Sequence, residues 1–228
     1  MAELKVLAGG SLANVFADLK AGFERDTGHR LLIQFAATPE LIKAATSGEP
    51  FDLGVTPIDV MQDAGARARF AAGPPVRVAR SIFGVAVKAG APKPDIGTPE
   101  AFKAALLKAR SIAVLPGSAA GAYITKLFER LGIAAEMDAK SLKQTGPAGV
   151  PQTVAKGEAE LGLFLSNVLT APGVELAGPF PGDLQSELAF TAALSTAPKE
   201  PAAAQAFIDY LQSPAARAMF EAKGLKAG

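Results

Sequence analysis

Three short stretches carry residues suited to one kind of chemistry, the holding of an anion by neutral donors. "LAGGSLANVF" sets Ser11 behind Gly9 and Gly10, "FAATPEL" sets Thr38 before Pro39, and "LPGSAAGAY" sets Ser118 before Ala119 and Ala120. In each, an apolar run hands over to an amphipathic one through small residues. The amino end of a helix presents N–H groups with no partner inside the helix and the positive end of its dipole, and a residue without Cβ lets a ligand approach the backbone. Taken singly, a hydroxyl in such a place reads as an ordinary N-cap, which is the commoner role. Repetition shifts the balance. In an open parallel sheet these turns gather at the carboxyl ends of the strands, where ligands bind, so Gly10, Ser11, Thr38, Ser118, Ala119 and Ala120 are expected to hold an oxyanion without needing a lysine.

The rest of the composition narrows the chemistry further. The chain of 228 residues contains no cysteine and one histidine, His29, which excludes thiolate catalysis, disulfides, Cys-based metal sites and any histidine cluster. No metal site, cofactor or catalytic residue is therefore expected. Lys and Arg number 23 against 22 Asp and Glu, a net charge of +1, so there is no broad field to draw in nucleic acid. No apolar run approaches the roughly 18 to 20 residues of a membrane span. "MAELKVLAGG" has no basic segment followed by an apolar one, so no signal peptide is expected within this chain.

The elements that would position the turns follow from periodicity. Short apolar runs at 4–8, 31–36, 52–56, 83–88, 111–115, 161–165, 174–180 and 188–195 alternate with amphipathic segments, the pattern of an α/β fold with mostly parallel strands. Hydroxyl residues open the helices. Ser11 precedes "LANVFADLK", Thr38-Pro39 opens "ELIKAAT", Thr56-Pro57 opens "IDVMQDAG", Thr98-Pro99 opens "AFKAALLKA" and Ser118 precedes "AAGAYITKLF", with Gly28, Gly48, Gly65 and Gly132 as matching stops.

Two proline-flanked apolar strands, in "PPVRVARSIFGVAVKAGAPKP" and "LQSELAFTAALSTAPKEP", read as crossings between lobes. The expected organisation is a discontinuous first lobe of residues 1–80 and 192–228 with a second lobe of residues 81–191. Ligand capture would close the lobes about the crossings as a hinge motion.

The order of these motifs resembles the molybdate-binding periplasmic proteins among the type II solute-binding proteins of ABC importers. The likeness runs from "KVLAGGSLANVFADLKAGFERDTG" through "GEPFDL", "AAGAYITKLFERLGI" and "VAKGEAELGLFL" to "FIDYLQSPAARAMFEAKGL". It implies a two-lobed fold, each lobe a mostly parallel sheet flanked by helices. It also implies a periplasmic location after removal of a leader, a monomer, a small anionic solute and an ABC permease as partner, with no membrane insertion and no nucleic acid. Carried across residue by residue, it puts Ser11, Thr38 and Ala120 against the oxyanion. Two positions depart from the pattern. Pro147 in "TGPAGV" stands where a backbone N–H usually donates, making Gly149 and Val150 candidate replacements, and Leu165 stands where a tyrosine hydroxyl usually does.

Arg80, at the start of the first crossing strand, is either a surface arginine or a fork for a carboxylate, and the sequence weighs both readings equally. The looser branch of the resemblance includes a case that isomerises aconitate. An organic polycarboxylate therefore joins molybdate and tungstate as a candidate solute, and an isomerase acting in the same cleft is the alternative function. Against it stands the lack of a histidine in the turns, which leaves a carboxylate, tyrosine or lysine to move a proton. His29 is expected to be exposed and structural, Tyr123 to pack one turn inside its helix, and Tyr210 to lie in the core.

Overall fold

The computed structural model describes residues 1–228. In chain order the strands are β1 (Glu3–Gly9), β2 (Arg30–Ala36), β3 (Leu53–Pro57), β4 (Val76–Lys88), β5 (Ile112–Val114), β6 (Ser141–Lys143), β7 (Leu161–Leu165), β8 (Val174–Pro179), β9 (Glu187–Leu194) and β10 (Lys226–Ala227). The helices are α1 (Ala13–Thr27), α2 (Thr38–Thr46), α3 (Ile58–Gln62), α4 (Ala64–Arg67), α5 (Pro99–Lys108), α6 (Ala119–Arg130), α7 (Ala134–Lys140), α8 (Gly149–Lys156), α9 (Ser166–Leu169), α10 (Pro201–Leu211) and α11 (Pro214–Ala222). The chain falls into two compact units, one of Met1–Arg80 with Ala189–Gly228 and the other of Ser81–Leu188.

In the first unit β1 is the centre of a parallel trio. It pairs with β2 from Glu3↔Arg30 to Gly9↔Ala36 and with β3 from Val6↔Leu53 to Ala8↔Val55. β9 then adds antiparallel to β3, with Thr56 opposite Thr191, and β10 lies antiparallel to β4 with Lys226 opposite Arg80. Every residue of β3 is buried, as a strand covered on both faces requires. One face holds an aromatic cluster in which Phe16 and Phe23 of α1 meet Phe207 of α10 edge to face. The other packs Leu7, Leu41, Phe51, Val60, Met61 and Phe70. Gly22 lets α1 approach α10, since a Cβ there would stand 2.1 Å from the Tyr210 hydroxyl. Tyr210 is accordingly half-buried rather than enclosed in the core.

The second unit is built around β5, which pairs in parallel with β6 and β7. β4 runs antiparallel to both β7 and β8, with a register shift between Val85 and Ala86 along β8. Its core contains Phe180 in ring contact with both Phe83 and Phe102.

Local signals held in part. Thr98 and Ser118 cap α5 and α6 by accepting from Ala101 and Gly121 N–H groups, and Gly28, Gly48 and Gly132 take positive φ after α1, α2 and α6. Two signals failed. Thr56 does not open a helix, because β3 continues through Pro57, which pairs with Phe190, and α3 begins behind it. Gly65 lies inside α4, whose cap is Asp63. His29, half-buried, accepts the Ala2 N–H at Nδ1 over 3.1 Å and stacks on Phe23, just before the start of β2 and so at the opposite end of that strand from Thr38.

A single carboxylate ties the first unit together. Asp52, 3% exposed, accepts from the Lys5 N–H at 2.8 Å, the Lys199 N–H at 2.7 Å and the Glu200 N–H at 3.2 Å. Glu200 is the N-cap position of α10 and makes no side-chain cap itself, so Asp52, just ahead of β3, supplies that helix's negative charge from a distant part of the chain. Asp52→Ala would leave three N–H groups without their acceptor, and a loss of about 3 kcal/mol in urea unfolding is expected, with Asp52→Asn losing less because it keeps one carbonyl acceptor.

Candidate functional site

The carboxyl ends of β1, β2 and β3 lie together, since Gly9 pairs with Ala36 and Ala8 with Val55. From this edge the chain leaves β1 through a single turn of 3-10 helix, Gly10–Leu12, that runs into α1. Gly9 has an ordinary φ of −60°, so conformational freedom is not its purpose. Space is. A Cβ at Gly9 would stand 3.1 Å from Pro57 Cδ and 3.3 Å from Phe190 Cε1.

Ser11 lies within the 3-10 turn and is not the N-cap of α1. That position is Leu12, and no side chain caps the helix. Thr38 is likewise not a cap. α2 begins one residue earlier, with Ala37 as N-cap accepting the Leu41 N–H at 2.9 Å, so Thr38 is the first helical residue. Both are half-buried. Both hydroxyl residues stand at the helix starts that follow the carboxyl edge of β1 and β2. Arg80, also half-buried, is the last residue of the first unit and faces Lys226 across the β4–β10 pair.

In the second unit the turn from β5 to α6 has a different design. Ser118 accepts from the Gly121 N–H at 3.0 Å and donates to the Leu115 carbonyl at 3.0 Å. Its one proton is committed there, so the donors this turn can offer are backbone amides. The Gly121 and Ala122 amides are taken up by the Ser118 hydroxyl and carbonyl as α6 begins. The helix sits so close to the preceding strand that a Cβ on Gly121 would lie 1.7 Å from the Leu115 oxygen.

Gly149 and Val150 do not replace the donor that Pro147 lacks. Their amides bond to the Gly146 and Pro147 carbonyls at 3.1 and 3.2 Å as α8 winds up, and Val150 is fully buried. Leu165 ends β7 fully buried. Just beyond it, wholly buried Asn167 accepts the Ser81 hydroxyl at 2.7 Å, a pair that nothing in the local sequence signals. Tyr123 packs its ring on Phe83 at 4.5 Å and donates to the Leu184 carbonyl at 2.8 Å. Burial raises the Tyr123 phenol above its ordinary value and Asp183 adds to this, while Arg130 opposes it, so the group is held protonated at neutral pH and is a poor base.

Two measurements test this geometry. Gly121→Ala is expected to lower stability by about 3 kcal/mol, because backbone oxygen and not a flexible side chain blocks the new methyl. For Tyr123 the sign follows from the raised value: the folded state keeps its proton where the unfolded chain loses it, so the contribution is complete below pH 10.0 and declines as pH rises beyond it. Tyr123→Phe should lose about 1 kcal/mol at neutral pH for the missing bond to Leu184, and its urea midpoint should fall less steeply than that of the wild type in alkaline buffer.

Residues 4–226 match the family model for a bacterial extracellular solute-binding protein. The chain is 32% identical over 231 residues to an aconitate isomerase from a Pseudomonas species, covering 98% of this chain and 87% of that protein. It is 27% identical over 235 residues to the molybdate-binding protein of Azotobacter vinelandii, covering 98% of this chain and 89% of the other. The solved periplasmic molybdate-binding protein of Azotobacter vinelandii matches with a TM-score of 0.80 at 19% identity, over 97% of this chain and 98% of that one. The fold is that of the type II periplasmic binding proteins. With the family model matched across nearly its whole length, the chain belongs to the bacterial extracellular solute-binding proteins.

Proposed function

We propose that this protein is the periplasmic binding component of an ABC importer and captures a small anion with the neutral donors of its strand-to-helix turns. The observation that carries the reading is the meeting of the carboxyl ends of β1, β2 and β3 at one edge, with the half-buried hydroxyl residues Ser11 and Thr38 at the helix starts that follow β1 and β2. Fixed dipoles of this kind suit an oxyanion or carboxylate, which accepts hydrogen bonds at every oxygen. The Azotobacter relative named for molybdate supports an oxyanion such as molybdate or tungstate. The loss of two expected donors, through Pro147 and Leu165, and the position of Arg80 at the unit boundary support an organic polycarboxylate, for which the guanidinium would form the fork.

A second reading is isomerisation of an unsaturated polycarboxylate, favoured by the 32% identity with an aconitate isomerase. Tyr123 offers it no base, since the phenol is held protonated and bonded to Leu184. A carboxylate or lysine would have to move the proton.

The test is a thermal-shift series with molybdate, tungstate, sulfate, phosphate, citrate and both aconitates. An anion at about 100 times its Kd adds roughly 2.7 kcal/mol, which is readily seen. At least one of these is expected to raise the midpoint, and no response to any of them would sink the proposal. Trans-aconitate incubated with the protein should keep constant ultraviolet absorbance if the protein only binds. A progressive change would establish the isomerase reading instead.

A further inference from the structure

Thr56 and Thr191 are opposite one another on the antiparallel pair β3–β9, 0% and 1% exposed. Facing threonines on adjacent strands commonly hydrogen-bond to each other. Here they do not: both Oγ1 atoms are buried and neither has a hydrogen-bond partner. A buried hydroxyl without a partner is a net loss relative to a methyl of the same shape, so evolution has an easy remedy in valine. That two such hydroxyls stand side by side calls for a reason.

Their place in the fold supplies one. Thr56 is one residue from the end of β3, at the edge where β1 hands over to the Ser11 turn and β2 to Thr38. Pro57 lies against Gly9 at the root of the Ser11 turn, 3.1 Å from where its Cβ would be. The Thr56 methyl is turned toward Gly54, 3.4 Å from a Cβ built there and beside the Phe70 ring. Its methyl is thus the part of the side chain given to that apolar floor, while the buried Oγ1 has no partner. Thr191 sits beside it on the strand that returns the chain to this unit.

We infer that the Thr56 and Thr191 hydroxyls are donors for an oxygen of the captured anion, a second layer behind Ser11 and Thr38 that sets which anion is held. The inference rests on the anion-capture reading and adds the residues that determine its specificity. Hydroxyls suit this task because each can turn its proton toward an acceptor that arrives with the ligand. The chemistry they would meet is a carboxylate or oxyanion oxygen.

Valine replaces threonine with nearly unchanged shape and no hydroxyl, and serine keeps the hydroxyl without the methyl. Thr56→Val and Thr191→Val would be compared with Thr56→Ser and Thr191→Ser. The readouts are the melting temperature without ligand and the Kd, by calorimetry, of whichever anion of the series above stabilises the wild type. The valine variants are expected to melt at or above the wild-type temperature while binding that anion about tenfold more weakly, the size of one lost hydrogen bond. The serine variants are expected to keep the wild-type Kd. Valine variants that bind as the wild type does would overturn the inference and leave the proposed function standing. Serine variants weakened as much as the valine ones would also overturn it, since methyl packing would then be the cause. A wild type that answers to none of the anions removes the function and this inference together.

Discussion

The buried carboxylate of Asp52 is the constraint on which the first unit depends. An isolated charge in that position would be prohibitive, and three converging N–H groups make it favourable instead. Its own backbone adds two more ties, its N–H donating to Lys5 and its carbonyl accepting from Ser195. One residue thus fixes β1 against β3, the segment after β9 against both, and the start of α10. The register it sets is the register that brings Gly9, Ala36 and Pro57 to one edge. The donor turns stand where they do because this node holds the strands beneath them.

Sorting the hydroxyls by what each one bonds separates scaffold from site. Thr98, Ser118 and Ser213 accept from the third amide of their helices, and their substitution would be felt as lost helix stability. Ser11 and Thr38 occupy similar sequence contexts but not the N-cap positions, which fall on Leu12 and Ala37. The distinction is set by where the helix begins. A 3-10 turn ahead of α1 and an early start of α2 each displace the hydroxyl from the N-cap.

The fold was legible because its strands are buried runs with hydroxyl and glycine punctuation. β7 was read at its true limits, Leu161–Leu165, since five buried residues between polar neighbours admit little else. β6 and β10 went unread, being three and two residues long and too short to show a period. β4 starts at Val76, well before the apolar run at 83–88, because its first half alternates with Arg77 and Arg80 and looks like a loop by composition. At the site, the turn residues were legible but their roles were not. Thr56-Pro57 carries every mark of a helix start, and only pairing with β9 reveals that both residues are still strand. Asp52 was invisible for a related reason: its partners lie 47 and 147 residues away, and no local pattern announces them.

The two units divide the chemistry unequally. In the second, the turn at α6 offers amides alone, because Ser118 is committed to Leu115 and Gly121, and the start of α8 offers neither Gly149 nor Val150. Amides are fixed in direction by the helix that bears them, so this side dictates where an acceptor oxygen must lie. The first unit places the hydroxyl residues Ser11 and Thr38 at its own helix starts, and a hydroxyl can reorient its proton where an amide cannot. Under the proposed anion-capture reading, discrimination falls to individual hydroxyls on the carboxyl edge of β1, β2 and β3 and not to the net charge of +1, which is too small to set up a broad field.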